Sequence, residues 1–213
     1  DPGAVGNGLK EKDVTLQIAK RIESILKNEY TGFSLKLSRT SDQILTLKQR
    51  TDAANKWGAD YFVSIHVNAG GGTGYEDFIY NGGVSSKTIA YQNVMHAEIT
   101  KMVDFRNRGK KRANFHVLRE TKMPAFLSEN GFIDNAADAR KLKDSSYIER
   151  IARGHVNGLV KAFGLKKKTV SPAPKPATGK LYKVQVGAFA DRKNAERLAN
   201  ELKGKGYSVY ITE

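Results

Sequence analysis

Residues 61–67 limit the fold of this chain more than any other segment, because they form a nearly continuous apolar run of strand length. A strand that is apolar on both faces belongs inside a sheet that helices cover on each side. Around it, helical patterns cover residues 14–29, 45–57, 86–103 and 147–163, and strand patterns cover 33–39, 75–80 and 125–128. This alternation predicts an α/β fold with a twisted, mostly parallel sheet flanked by helices on both faces.

Residues 164–180 divide the chain into a large domain at 1–163 and a small piece at 181–213. The segment reads GLKKKTVSPAPKPATGK and contains three of the five prolines. Such a composition cannot bury a core and predicts an extended, semi-rigid linker. The small piece has the pattern strand, helix, strand. A piece this short is a poor independent domain, so we expect another segment or molecule to complete its sheet.

Charge and cysteine content exclude several classes of function. The chain has no cysteine, which excludes disulfides, thiol catalysis and cysteine-based zinc fingers. No apolar run approaches the roughly 20 residues that a membrane-spanning helix needs, and no signal-peptide pattern is present. The net charge of +14 predicts a polyanionic partner, either nucleic acid or an anionic cell wall. Nucleic acid is the weakest alternative, because the chain has no reader motif and no basic-aromatic stacking platform.

Three ionisable residues stand beside the predicted elements, where a site could form. His66 ends the apolar run and would lie at the carboxyl edge of the sheet, where ligands gather. Glu11 stands just before the first helix, and Glu129 follows a buried strand and precedes a glycine-containing turn. His66 has the alternative of a hydrogen-bonded core histidine, and Glu11 that of an acid favoured at a helix start, whereas Glu129 is the better catalytic candidate. Singly, these positions do not establish a site.

In combination they match a family pattern. The matching segments are Asp1-Pro2-Gly3-Ala4 with Gly8-Leu9-Lys10-Glu11-Lys12, Ser38-Arg39-Thr40-Ser41-Asp42 with Leu47, Arg50 and Ala54-Asn55, Gly58-Ala59-Asp60 with Ser64-Ile65-His66-Val67-Asn68, Gly74-Tyr75-Glu76, Arg108-Gly109, Val117-Leu118-Arg119, and Pro124 through Glu129-Asn130-Gly131-Phe132-Ile133 to Asn135. Through these segments, residues 1–163 resemble the zinc-dependent N-acetylmuramoyl-L-alanine amidases of the amidase-3 family.

The resemblance implies an enzyme that hydrolyses the amide bond between N-acetylmuramoyl residues and L-alanine of peptidoglycan stem peptides. It implies Zn²⁺ as the cofactor, Glu11 and His66 as metal ligands, and Glu129 as the catalytic acid/base. The chemistry agrees, because zinc lowers the pKa of water and a nearby carboxylate can carry the proton to the leaving amine. Asn68, which also has the position of a residue supporting the ligands, and His116 are candidates for substrate binding.

The pattern departs from the family at its N-terminal end. The family's first zinc ligand is a histidine at the end of the first strand, just upstream of the position of Asp1, and the sequence does not contain that strand. His96, His116 and His155 do not match the missing motif. Because catalytic zinc sites use about three protein ligands, we expect the chain as given to be inactive or weakened. The alternative function is a non-catalytic peptidoglycan-binding protein of amidase fold.

Residues 181–213 resemble the first half of a SPOR domain, a module that binds glycan strands of peptidoglycan. The resemblance rests on residues 182–189, 194–198 and 206–207. It implies Gln185 and Phe189 as glycan contacts, with core packing as the alternative for Phe189. The two modules together imply a secreted, cell-wall-associated autolysin of sporulating bacteria. Its expected partners are peptidoglycan and anionic cell-wall polymers, not nucleic acid.

Overall fold

The computed structural model describes residues 2–169, 184–204, 207 and 209–212, and the chain divides into two units, Asp1–Lys168 and Thr169–Glu213. Most of the predicted linker at 164–180 therefore lies outside the described residues, and its extended form stays a prediction. In the part of the chain that is described, no helix is long and apolar enough to cross a membrane.

The first unit contains the alternating helices and strands that the apolar patterns predict. The helices are α1 (Glu11–Glu29), α2 (Leu47–Trp57), α3 (Ser86–Met102), α4 (His116–Arg119), α5 (Ala136–Lys143) and α6 (Ser145–Phe163). The strands are β1 (Val5–Gly6), β2 (Leu9–Lys10), β3 (Tyr30–Thr31), β4 (Phe62–Asn68), β5 (Tyr75–Tyr80), β6 (Asn107–Ala113), β7 (Ala125–Phe132) and β8 (Lys166–Lys167).

The central sheet has the strand order β4-β7-β5-β6. Strands β4 and β7 are parallel, as are β5 and β6, whereas β5 and β7 are antiparallel. The sheet is therefore mixed, with mostly parallel pairing. Helices α1, α3 and α6 pack together on one face, and α4 packs against β7 and β5 with α2 beside it. The predicted α/β architecture with helices on both faces of the sheet is confirmed.

The main core lies between the sheet and the three long helices. Its centre consists of side chains without solvent exposure, contributed by three helices and by β7: Ile18, Ile99, Ile151 and Phe126. Each such side chain contributes about 1.5–3 kcal/mol relative to exposure in water. A smaller cluster under α4 contains Val117, Leu118, Ala125 and Leu127. The face with α4 is thus covered less deeply, and this leaves room beside the sheet for a site.

Helix α2 begins and ends at signals that the sequence carries. The backbone N–H of Gln49 donates to Thr46 Oγ1 at 3.1 Å, and the backbone N–H of Thr46 donates to Gln49 Oε1 at 2.8 Å. This reciprocal pair is a capping box. Gly58 ends the helix with a φ of +70°, a conformation that glycine adopts without steric cost. The predicted end of this helix is confirmed.

The N-terminal hairpin was not predicted, although its turn signal is present. Strands β1 and β2 pair across Asn7 and Gly8, whose φ angles are +48° and +75°. Asn-Gly favours this type of two-residue hairpin turn. A Cβ on Gly6 would lie 2.8 Å from the carbonyl oxygen of Ile133, so the hairpin rests directly on the chain after β7. This contact fixes the start of α1, and with it Glu11, beside the central sheet.

The predicted strand at residues 33–39 is wrong. Burial does alternate there, with residues 33, 35, 37 and 39 partly buried and the residues between them exposed. No strand among the described residues pairs with this segment, however, and a strand requires the hydrogen bonds of a neighbour. In contrast, the basic segment at 107–113, for which no strand was predicted, forms the edge strand β6.

The second unit contains the predicted helix, which is α7 (Arg192–Gly204). The described residues of the two predicted flanking strands, 184–186, 207 and 209–211, are not in a strand, and the remainder lies outside the described residues. Val184 and Tyr210 are 84% and 88% exposed. Without a paired neighbour among the described residues, these apolar side chains have no sheet face to cover.

Candidate active site

Three ionisable side chains form a row across the central sheet. The register pairs His66 on β4 with Glu129 on β7, and Glu129 with Glu76 on β5. Alternate residues of a strand share a face. Because Leu127 and Phe78, two positions along from Glu129 and Glu76, pack in the cluster under α4, the row lies on that shallow face. The pairing thus brings together residues that are far apart in the sequence.

Glu11, the first residue of α1, completes one end of the row. Its Oε1 accepts a hydrogen bond from His66 Nδ1 at 2.8 Å, and its Oε2 accepts one from the backbone N–H of Ala4 at 2.9 Å. The backbone N–H of Val67 also donates to Oε1, at 3.3 Å. Burial alone would raise the pKa of Glu11, but these hydrogen bonds and the charge of His66 together lower it. Glu11 is therefore held as a carboxylate against the imidazole.

The imidazole of His66 is fixed from both ring nitrogens. Nδ1 donates to Glu11, and Nε2 lies 3.1 Å from the hydroxyl of Ser64. Burial lowers the pKa of His66, whereas the bond to Glu11 and the charges of Glu129 and Glu11 raise it, with a net rise. Arg50 acts in the opposite direction. The side chain keeps 37% of its surface exposed, so the ring is accessible.

Glu129 differs from Glu11 and Glu76 because one of its carboxyl oxygens is buried without a hydrogen bond in the described part of the chain. Its Oε2 is buried and makes no hydrogen bond within the described residues. Burial raises the pKa of Glu129 to about 7, while the charge of His66 lowers it and the charges of Glu11 and Glu76 raise it further. A carboxyl group with this pKa takes up and releases a proton near neutral pH, as a general acid/base must.

Glu76 accepts three hydrogen bonds, two of them from cationic side chains. Its Oε1 accepts from Asn68 Nδ2 at 2.9 Å, and its Oε2 accepts from Arg108 Nε at 2.6 Å and from Lys111 Nζ. The side chain is 5% exposed. Burial raises the pKa of Glu76, but the bonds to Lys111 and Arg108 outweigh it and lower the pKa. Glu76 is therefore a buried carboxylate at neutral pH.

A buried network supports the row from the opposite face. His155 on α6 donates through Nδ1 to the carbonyl of Ile151 at 2.8 Å, and its Nε2 therefore accepts from the hydroxyl of Ser128 at 2.9 Å. Asn130 Nδ2 donates to Ser128 Oγ at 3.0 Å and to the carbonyl of His66 at 3.1 Å. Complete burial lowers the pKa of His155 to about 4. The network joins β7 to α6 through Ser128 and to β4 through Asn130, the two residues that flank Glu129.

The structure brings together Glu11, His66 and Glu129, the residues that the family resemblance named for chemistry. Asn68, named for substrate binding, bonds to Glu76 and so links the end of β4 to β5. Its direct partner is a protein side chain at the edge of the row. The location agrees with a supporting role, and the roles of all four named residues stay predictions.

The other named residues have contacts within their own units. His116 starts α4, and its Nε2 lies 3.4 Å from the hydroxyl of Thr51. In the second unit, Gln185 is exposed and donates to the carbonyl of Gly187 at 3.3 Å. Phe189 is 44% exposed, and a Cβ on Gly187 would lie 2.7 Å from its ring. The ring thus contacts its own unit and keeps an open surface, so neither alternative for Phe189 is decided.

Sequence reasoning gave no role to Glu76, Arg108 or Lys111. A signal was present, because β5 carries two adjacent acids, Glu76 and Asp77, in an otherwise apolar strand of the sequence YEDFIY. Adjacent acids point to opposite faces and both are buried, so each needs its own partners. Which cations supply them depends on the pairing of β5 with β6, which no local pattern specifies.

The donor set at one end of the row suits a metal such as zinc. Glu11 offers a carboxylate oxygen and His66 an imidazole nitrogen, two of the ligand types that zinc sites use. Among the described residues, no group of three or more histidine, aspartate and glutamate side chains is placed to hold a metal ion. The pair therefore fits a zinc site that receives a third donor.

Comparisons with known proteins identify the family of the chain. The sequence pattern of the family described as N-acetylmuramoyl-L-alanine amidase matches residues 1–161, and that of the SPOR domain matches residues 178–213. The chain is 58% identical over 211 residues to the sporulation-specific N-acetylmuramoyl-L-alanine amidase of Bacillus subtilis, and 56% identical over 211 residues to the N-acetylmuramoyl-L-alanine amidase CwlM of Bacillus licheniformis. Both matches cover 99% of this chain and 79% of the relative.

A solved structure shares the fold. The catalytic domain of CwlV, an N-acetylmuramoyl-L-alanine amidase from Bacillus (Paenibacillus) polymyxa var. colistinus, is 37% identical in sequence and superposes with a TM-score of 0.73. The match covers 78% of this chain and 93% of that domain.

Proposed function

The chain belongs to the N-acetylmuramoyl-L-alanine amidase family, and from that membership we propose that Glu11, His66 and Glu129 carry out the family's reaction with zinc. The chain is a hydrolase of peptidoglycan, and the bond cleaved is the amide between the N-acetylmuramoyl residue and L-alanine. The assignment of these three residues to this chemistry, and zinc itself, are the proposal.

The unpaired carboxyl oxygen of Glu129 is the observation that carries the proposal. Burying an ionisable group without a partner is unfavourable, and structures keep such groups mainly where they act. Glu129 stands in register with His66, and its pKa of about 7 suits proton transfer at neutral pH. The remaining acids of the row are occupied by hydrogen bonds and serve other purposes.

Glu11 and His66 would hold the zinc ion through the Oε1 and Nδ1 atoms that now share a hydrogen bond. When bound, zinc supplies Lewis acidity, which polarises the scissile carbonyl and lowers the pKa of water. The third donor in this proposal lies on a strand that pairs with the outer edge of β4. Two observations on the described residues support this position of the donor. The outer edge of β4 has no partner strand, and residues 33–39 alternate in burial although no strand pairs with them.

Glu129 performs the proton transfers. As a carboxylate it takes one proton from the attacking water, so that the oxygen adds to the amide carbonyl carbon. The protonated Glu129 then donates this proton to the nitrogen of L-alanine as the carbon–nitrogen bond breaks. The products are a lactyl carboxylic acid on the muramoyl residue, which keeps the second proton of the water until it ionises, and a free amine on the stem peptide, and Glu129 returns to its starting state.

The second unit would bring the enzyme to its substrate. The SPOR match supports a protein that acts at the cell wall. The finer proposal is an extracellular, wall-associated protein in which Gln185 and Phe189 contact glycan strands. The exposed parts of both side chains support this assignment.

The experiment that tests this function uses purified peptidoglycan and zinc. We expect new amino groups on L-alanine without new reducing sugar ends, and loss of the release when a chelator removes the metal. Because the chain as given is expected to be weakened, the assay also uses a form that supplies the third zinc donor. Binding of peptidoglycan by that form without any release, in the presence of zinc, would favour the alternative of a non-catalytic binding protein. Release of reducing ends instead would contradict the proposed reaction.

The third donor has its own test. Zinc titration compares the 213-residue polypeptide with a form to which a histidine-bearing segment is joined ahead of Asp1. We expect the extended form to bind zinc more tightly, because a third ligand replaces a weaker water ligand. Equal zinc affinity of the two forms would show that the additional residues contribute no donor.

A further inference from the structure

Glu76, the acid at the far end of the row, is bonded to more positive charge than its own negative charge can neutralise. Arg108 Nε and Lys111 Nζ both bond to its Oε2, and Asn68 bonds to its Oε1. One carboxylate thus holds two cations, which leaves one positive charge in excess. A single cation and the amide would already satisfy a buried carboxylate. The second cation therefore calls for a functional explanation.

Both cations remain accessible from the shallow face of the sheet. The side chains of Arg108 and Lys111 are 29% and 37% exposed, while Glu76 beneath them is 5% exposed. Arg108 lies 4.9 Å from the ring centre of Phe132, and Lys111 lies 5.8 Å from that of Phe78. A buried anchor and aromatic surfaces thus fix the directions of both cations before any ligand arrives.

The cations keep hydrogen-bonding capacity for a ligand. Arg108 uses Nε for Glu76 and Nη1 for the carbonyl of Thr73 at 3.4 Å, and the Lys111 ammonium makes one hydrogen bond to the described residues. A guanidinium has five N–H donors and an ammonium has three. Donors of both groups remain for an oxyanion, and cations held in this way favour a planar carboxylate.

Their distance from Glu129 defines which carboxylate they can reach. Neighbouring strands lie about 4.8 Å apart, and β6 is two strands away from β7, so the cations stand roughly 5–10 Å from the reacting group. An extended peptide advances about 3.5 Å per residue. A ligand carboxylate one to two residues beyond the scissile amide therefore falls within reach.

We propose that Arg108 and Lys111 bind the free α-carboxylate of the second amino acid of the stem peptide, the residue that follows L-alanine. Glu76 is the positioning residue that holds the two cations. This inference rests on the proposed function, because it takes the scissile amide to lie at Glu129. It makes the site selective for stem peptides whose second residue is an acid over those in which that carboxyl is amidated.

Calorimetric binding to the whole chain tests the selectivity without requiring turnover. Two soluble muramoyl tripeptides serve as ligands, identical except that the second residue carries a free α-carboxylate or a carboxamide. We expect the acid to bind about tenfold more tightly, as one charge-assisted hydrogen-bonding contact predicts. Equal affinity of the two tripeptides would overturn this inference alone. Failure of both to bind would count against the proposed function.

Variants of β6 identify the residues responsible. Lys111→Met keeps the Arg108–Glu76 pair and therefore the fold, and we expect it to reduce the preference for the acid to about threefold or less. Arg108→Gln should have the same effect. Lys110→Gln is the matched control, because Lys110 lies on the same strand but bonds to Asn93 instead. A full preference in Lys111→Met, or a lost preference in Lys110→Gln, would overturn the assignment.

Discussion

Replacement of His155 by glutamine tests the buried network under the active-site row through its dependence on pH. His155 is completely buried, and its Nε2 accepts from Ser128 while its Nδ1 donates to the carbonyl of Ile151. The ring must be neutral to make both bonds. Burial accordingly lowers its pKa to about 4, from an ordinary value of 6.5. A glutamine can still accept from Ser128 but does not titrate.

The direction of the effect follows from proton binding. Between pH 6.5 and 4 the unfolded chain binds a proton at His155 and the folded chain does not, so acid favours unfolding. The contribution to stability is present above pH 6.5 and is lost as the pH falls towards 4. With these two pKa values, the loss between pH 7.5 and pH 5 is about 2 kcal/mol.

Glu129 has the opposite effect on stability over the same pH range. Its pKa is raised to about 7 in the folded state, so as the pH falls the folded protein binds a proton there before the unfolded chain does. The pH profile of the unaltered protein is therefore a sum of opposed contributions. Only the difference between the protein and its His155→Gln variant isolates the histidine. We expect that difference in the free energy of unfolding, measured with urea at both pH values, to change by about 2 kcal/mol. A difference that stays constant within about 0.5 kcal/mol would refute the buried, neutral ring.

Two further predictions concern the row itself. Glu129→Gln removes the proton carrier, and we expect amidase turnover to fall by about 10²–10⁴-fold with peptidoglycan binding retained. The control Glu120→Gln, at the exposed end of α4, should retain activity. Full turnover in the Glu129 variant would exclude Glu129 as the acid/base. Gly3→Ala places a Cβ 2.5 Å from Glu11 Oε2 at a φ of +69°, so we expect weaker zinc binding and a loss of about 1–3 kcal/mol in stability. Gly32→Ala has a similar φ of +85° with nothing within 4 Å, and should reproduce the strain without the loss of zinc; equal zinc affinities of the two variants would contradict the role of the Gly3 contact.

The sequence predicted those parts of the fold that depend on local periodicity. The apolar run at 61–67 became β4, and the pattern at 14–29 became most of α1. Residues 33–39 have the same kind of local signal, and their burial alternates as expected. They are not a strand because strand formation depends on a partner elsewhere in the chain. The basic segment at 107–113 shows the reverse case. Its strand pattern is weak, but it forms β6 because it pairs with β5.

The candidate site, like the fold, was predicted from the sequence only in part. Glu11, His66 and Glu129 were found by order along the chain, through a family resemblance. Their proximity depends on the register of β4 with β7 and on the hairpin that starts α1, neither of which a single sequence specifies. Glu76 gained a role only when the pairing of β5 with its two neighbours was known.

The distribution of partners among the three carboxylates explains why only one of them suits catalysis. Glu11 is held by His66 and two backbone N–H groups, and Glu76 is held by an amide and two cations. Both are thereby fixed as carboxylates, which is what a metal ligand and an anchor require. Glu129 stands between them in the same row, and its Oε2 has no hydrogen bond among the described residues. Burial raises its pKa to about 7, and the charges of Glu11 and Glu76 add to this rise while the charge of His66 opposes it. The arrangement that satisfies the two outer acids is thus the same one that leaves the central acid able to exchange its proton near neutral pH.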